Sequence, residues 1–145
     1  MLNQLGRTQE AIAAAQEALR HRTEPRHDAL AYYNLGNSYF KLGQQAKAAG
    51  YFKQAIAGFA LTPKLGADEY FYLGNSYLQT EQTEPAVRAF RDAIKLRPNF
   101  SQPYLSLGAA YMTLGNRRAA LEIYESLKTI DAARGARLLK VINAK

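Results

Sequence analysis

The sequence predicts an all-α array of antiparallel helical hairpins, and three observations predict it. The word Leu-Gly-Asn-Ser-Tyr is written twice, at 35–39 and at 73–77. Around it, Tyr32, Leu35, Gly36 and Tyr39 sit at i, i+3, i+4 and i+7, one face of a helix. No segment alternates apolar and polar residues for long enough to suggest a strand. Self-similarity at this period is the signature of stacked supersecondary units, each burying its apolar face against its neighbours.

The chain opens on a single helix. Residues 1–28 read as the second half of a truncated repeat, with Ala11, Ala15, Ala18 and Leu19 on one face. Leu2 and Leu5 read as the last turn of a first-half helix that is missing, so Met1 is expected to mark a fragment boundary, the alternative being a native start with a frayed first helix. The first full hairpin spans 29–66. Its first helix carries Tyr32 to Tyr39, Gly43 stops it with a left-handed cap, and its second helix carries Ala48, Phe52 and Ala55. Four extra residues in GFALTPKLGA lengthen that helix or loosen the connection after it, and Pro63 closes it.

The second hairpin, 67–100, repeats the pattern with Tyr70, Leu73, Gly74 and Tyr77, then Ala86, Phe90 and Ala93. Asp68 and Glu69 favour the positive end of its first helix. Thr83-Glu84-Pro85 reads as an N-cap followed by a first-turn proline, and Pro98 closes the repeat. The third hairpin, 101–132, carries Tyr104, Leu107, Gly108 and Tyr111, then Ala120, Tyr124 and Leu127. The Leu-Gly pairs begin at 35, 73 and 107, so the period is 38 and then 34 residues. Residues 133–145 form a capping helix that is expected to bury Leu138, Leu139, Val141 and Ile142. Within each hairpin a glycine costs about 1 kcal/mol against alanine in a helix interior. Close approach of the second helix at Ala48, Ala86 and Ala120 is the expected reason for Gly36, Gly74 and Gly108, with Leu73 enclosed at the middle seam.

Tyr-x2-Leu-Gly-x2-Tyr followed by Ala-x3-Phe/Tyr, with Pro98 at a repeat end, resembles the tetratricopeptide repeat. The resemblance covers about 29–132, with tyrosine in place of the usual tryptophan. It implies a right-handed superhelix whose first helices line a concave groove that holds a peptide or partner helix. Carried onto this chain, the groove positions are Tyr33, Asn34, Asn37 and Lys41, then Phe71, Tyr72, Asn75 and Gln79. The third hairpin supplies Gln102, Leu105, Ser106, Ala109 and Thr113. Asparagine is a poor helix-interior residue, yet its amide can grip a peptide backbone with a donor and an acceptor together. Some family members clamp the C-terminal carboxylates of chaperone peptides. That clamp needs basic residues where Tyr33, Gln102 and Ser106 stand and an asparagine where Tyr72 stands, so only Asn37 agrees.

Composition narrows the alternatives. The 145 residues carry a formal charge of +7 and no cysteine, which excludes disulfides, thiolate metal sites and cysteine nucleophiles and leaves the compartment, cytoplasm or periplasm, open. No apolar run reaches the roughly 20 residues a membrane span needs, and the start lacks the pattern of a signal peptide. His21 and His27 both fall in HRTEPRH, expected to be a solvated connection and no metal pair. Phosphate-loop, zinc-protease and nucleophile-elbow motifs are missing, so neither an enzyme nor a cofactor is expected. Arg88, Arg91, Lys95 and Arg97 are expected on an outward, solvated face, which disfavours nucleic acid because no aromatics interleave with them. The expected partner is another protein or peptide. The competing reading is a homodimer formed through the N-terminal half repeat.

Overall fold

The computed structural model describes residues 2–21 and 24–144, and these form eight helices: α1 (Leu2–Arg20), α2 (Pro25–Lys41), α3 (Gln45–Ala60), α4 (Ala67–Gln79), α5 (Thr83–Leu96), α6 (Ser101–Thr113), α7 (Arg117–Ile130) and α8 (Ala132–Asn143). The chain divides into two compact units, residues 1–65 and 66–145. Among the described residues there are no strands. No helix among them is long and apolar enough to cross a membrane.

In the first unit α2 packs on both α1 and α3. The seam between α2 and α3 buries Leu35, Ala48, Phe52, Ala55 and Phe59. Aromatic rings extend it: Tyr51 stacks on Tyr39 at 5.4 Å and on Tyr32 at 6.2 Å between centroids. α1 is one continuous helix through Gly6, so Leu2 and Leu5 belong to it and not to the end of a separate first-half helix. α2 starts at Pro25, in its first turn, so His27 is helical and the connection ahead of α2 is shorter than expected. The extra residues after Ala55 divide between a longer α3, which ends at Ala60, and the connection 61–66.

In the second unit α4 packs on α5, α6 on α5 and α7, and α8 on both α6 and α7. One core joins Ala86, Phe90, Leu107, Ala120, Leu127, Leu138 and Ile142. Leu138 and Ile142 are fully buried, whereas Val141 is 41% exposed and faces away from the core. Leu73, expected to be enclosed, is only half-buried. α5 begins at Thr83 with Gln82 as its N-cap, so the threonine is the first helical residue and not the cap.

The seam glycines are required by a different neighbour from the one the sequence suggests. A Cβ built on Gly36 would lie 2.7 Å from the Phe52 ring, and one on Gly74 would lie 2.5 Å from Phe90. For Gly108 the neighbour is Leu138 of α8, also at 2.5 Å. The small residue admits a large side chain from the facing helix, and the alanines close the flanks.

Helix ends are held by specific groups. The Gly66 N–H donates to the Glu69 carboxylate at 2.8 Å and closes the start of α4. Gly43 and Gly115 take φ of +78° and +75° after α2 and α6. Glu81 adopts the same left-handed backbone at φ +61° after α4, a position where a side chain costs energy. Asp131 caps α8: its carboxylate accepts the Arg134 N–H at 3.0 Å, the Arg134 guanidinium at 2.7 Å and the Ser101 hydroxyl at 3.0 Å. At the other end, Arg117 donates to the Ile142 carbonyl at 2.6 Å.

Candidate functional site

In the first unit the candidate residues stand on α2. Asn34, Asn37 and Lys41 are spaced i, i+3 and i+7, so helix geometry aligns them on one face. That face forms one wall of a cleft of about 650 Å³, whose other wall is α1 with Ala11, Ala14, Ala15 and Ala18. Leu30, Ala31, Ser38 and His27 complete the lining. The cleft continues past Ala11, Ser38 and Lys41 into a second hollow of about 880 Å³ that reaches Gln4, Leu5, Arg7 and Thr8. The walls are thus mostly small and apolar, with amides in the middle and two cations, Arg7 and Lys41, at one end.

Tyr33 does not join this group. It is 7% exposed and its ring packs on Phe52 at 5.9 Å, so it belongs to the α2–α3 seam and the expectation of a groove-facing Tyr33 is corrected. Its place one residue from Asn34 turns it about 100° around the helix axis. A separate apolar hollow of about 380 Å³, lined by Pro25, Tyr32, Ala57, Gly58 and Leu61, lies between α2 and α3. No motif marks it, because its lining comes from the ends of two helices.

In the second unit Tyr72, Asn75 and Gln79 repeat the i, i+3, i+7 row on α4, and Gln102, Leu105, Ser106, Ala109 and Thr113 lie along α6, which α4 touches. Tyr72, Asn75, Leu105, Ser106 and Ala109 are half-buried, while Gln79, Gln102 and Thr113 are exposed. Phe71 has a largely structural place. Its ring meets Phe100 edge-on at 5.3 Å and lies 6.1 Å from Phe90, inside the cluster flanking the core.

The basic stripe on α5 is not simply solvated. Arg91 donates to the Tyr111 hydroxyl and lies 5.6 Å from the centre of that ring. Arg97 reaches both oxygens of Asp68, at 3.1 and 3.3 Å, and sits 4.8 Å from the centre of the Phe100 ring. Two of the four cations therefore join elements of the second unit. The sequence signal was available in Tyr111 and Phe100, but which arginine meets which ring is a tertiary fact.

Three family models match. A tetratricopeptide repeat model covers residues 1–60, a TPR repeat model covers 74–115, and a further tetratricopeptide repeat model covers 101–134. No curated protein sequence matches. Among solved structures, the chain resembles the MamA protein at a TM-score of 0.67 and 24% identity, over 94% of this chain and 70% of that one. YrrB, described as a TPR protein with an unusual peptide-binding site, aligns at a TM-score of 0.61 and 19% identity, over 97% and 79%. The second TPR domain of human RPAP3, solved with the HSP70 peptide SGPTIEEVD, aligns at 0.59 and 23%, over 83% and 99%. At these identities the likeness is one of fold.

Proposed function

This chain belongs to the tetratricopeptide repeat family, and from that premise we propose that it is an adaptor or assembly module holding a segment of another protein against its first helices. In the first unit the contact residues are Asn34, Asn37 and Lys41. In the second unit they are Tyr72, Asn75 and Gln79 of α4, with Gln102, Leu105 and Ser106 of α6.

The observation that carries this reading is the amide-bearing row of α2 on the wall of an open, small-residue cleft. Two asparagines in a helix interior cost helix stability and contribute nothing to the seam. They suit a surface that must satisfy the donors and acceptors of a polar main chain. Tyr72 adds apolar area with a polar tip, a composition favoured at binding surfaces. Two neighbours of the same fold, the RPAP3 domain solved with a peptide and YrrB with its peptide-binding site, are consistent with this use. Nucleic-acid binding has less support, because Arg91 and Arg97 are engaged within the second unit.

A pull-down from nuclease-treated extract of the source cell tests the reading. The bait is the wild-type chain beside an Asn37→Ala, Tyr72→Ala, Asn75→Ala variant whose helicity is checked by circular dichroism. Tyr33 is left unchanged because it is part of the core. A protein captured by wild type and lost by the variant is the expected result. Equal capture by both would remove these faces as the site.

A further inference from the structure

The first hairpin departs from the other two at its open end, where α2 begins and α3 ends. In register, Ala29 stands where α4 and α6 start, at Ala67 and Ser101. α2 starts earlier, at Pro25, and runs 17 residues against 13 in each of those helices. α3 runs 16 residues against 14 in α5 and in α7. Between these lengthened ends lies the hollow of about 380 Å³ described above. Glu24, Pro25 and Asp28 line it from the start of α2, and Ala57, Gly58 and Leu61 from the end of α3. Tyr32 joins the lining with a ring fixed by stacking on Tyr51 at 6.2 Å.

The stacking of repeats does not account for this hollow. Around the axis of α2, Pro25, Asp28 and Tyr32 lie about 120–180° from Asn34, which lines the cleft with α1. The hollow therefore belongs to the two helices of one hairpin, on the side of α2 turned away from α1. Its residue types are also its own. Ala57 stands where the other hairpins carry Lys95 and Thr129, and Asp28 stands where they carry Gly66 and Phe100. Leu61 is 70% exposed, a large apolar surface that the helix pair leaves in water. Acids near a helix start answer to the dipole. The dipole explains neither an alanine at the place of Lys95 nor the exposed Leu61.

The charge of the hollow opposes that of the chain. Among the described residues of its lining there is no lysine or arginine, although the chain carries +7. Arg26, on the same turn, stands about 160° from Asp28 around the axis. Two carboxylates also outweigh the roughly half unit of positive charge at a helix start.

We propose that this hollow is a docking site, separate from the first-helix surface above, for an arginine and an adjacent leucine-sized residue of a partner protein. The apolar residue rests against Pro25, Ala57 and Leu61. The arginine stem runs over Tyr32, whose stacked ring is already in place, and its guanidinium reaches the Asp28 and Glu24 carboxylates. Its flat fork donates two parallel hydrogen bonds to a carboxylate, which a lysine cannot do. A second copy of this chain is a poorer occupant. Its exposed Leu96 is followed by Arg97, but that guanidinium is held by Asp68 and Phe100.

The probe is the capped peptide Gly-Leu-Arg-Leu-Gly, titrated into the full ¹⁵N-labelled chain and followed by the amide signals in NMR. Saturable shifts at Ala57, Gly58 and Leu61 are expected, weakening as salt is raised. Replacing the peptide's arginine by neutral citrulline should weaken binding by about fivefold or more, and so should Glu24→Gln with Asp28→Asn. Ala57→Lys, at an exposed position, should abolish the shifts and leave the melting curve unchanged. No shifts at these amides would overturn the proposal, as would equal binding of the citrulline peptide or binding that survives Ala57→Lys. A dimer in light scattering that Ala57→Lys dissolves would also overturn it, by assigning the hollow to a second copy. None of these changes touches Asn37, Tyr72 or Asn75, so the result is independent of the pull-down above.

Discussion

At the scale of single residues, the sign of a substitution depends on what a methyl group would meet. Alanine is a better helix former than glycine by about 1 kcal/mol. At Gly50, where a Cβ meets nothing within 4 Å, Gly50→Ala should therefore gain up to about 1 kcal/mol. At Gly74 the same change drives a Cβ to 2.5 Å from the Phe90 ring. Overpacking of this kind costs about 1–3 kcal/mol, so Gly74→Ala should lose net stability. Urea unfolding of both variants checks the pair, and a stabilised Gly74→Ala would mean that the seam yields. Glu81 offers the opposite case. Its neighbours in the pattern, Gly43 and Gly115, take a positive φ without a side chain, and Glu81 takes it with one. Glu81→Gly should raise stability by up to about 1 kcal/mol in the same assay, the relief of left-handed strain exceeding the added freedom of the unfolded chain.

At the scale of elements, α8 is held by charge at both ends and by Leu138 and Ile142 in its middle. Hydrogen bonds from the Arg134 N–H and guanidinium, then from Ser101, hold the Asp131 carboxyl well below the usual carboxylate range, at about 2. A depressed folded-state pKa means that the unfolded chain binds the proton first. The contribution of Asp131 is therefore complete above about pH 4 and is lost as pH falls toward 2. Asp131→Ala should melt earlier than wild type at pH 6, and the gap should close between pH 4 and pH 2. A gap independent of pH would show that the carboxylate charge is not what caps the helix. α4 shows how two adjacent acids divide the work. Glu69 caps its own helix, while Asp68 reaches Arg97 beyond the end of α5. Both were legible only as acids near a helix start.

At the scale of the whole molecule, a net charge of +7 does not by itself select an acidic ligand. Selection depends on where the cations stand. Arg91 and Arg97 are engaged with Tyr111, Asp68 and Phe100, and the positions of a two-carboxylate clamp hold Tyr33, Gln102, Ser106 and Tyr72. Tyr33 itself is buried, with its ring packed on Phe52. Calorimetry with SGPTIEEVD, the peptide bound by the RPAP3 domain, is therefore expected to show no low-micromolar binding, and binding of that strength would place a carboxylate site that the clamp positions do not provide. Much of the architecture was legible beforehand because a packing pattern repeated three times cannot be produced by one local accident. Much of the candidate site was not, because residues that are adjacent on a helix, such as Tyr33 and Asn34, go to opposite environments according to which neighbour packs on each side.

What the sequence by itself determined is the set of helices, their pairing into hairpins, and the family. Apolar spacing and breakers are local, and their recurrence fixes which helix faces which. Only the tertiary structure decided that the seam glycines admit Phe52, Phe90 and Leu138, and that Phe71 and Tyr33 serve packing. It alone showed that Asn34, Asn37 and Lys41 of α2 line one cleft with the alanines of α1. The physical reason is the same in each case. Periodicity places a side chain on a face, but the distance and size of what lies opposite are set by segments remote in the chain.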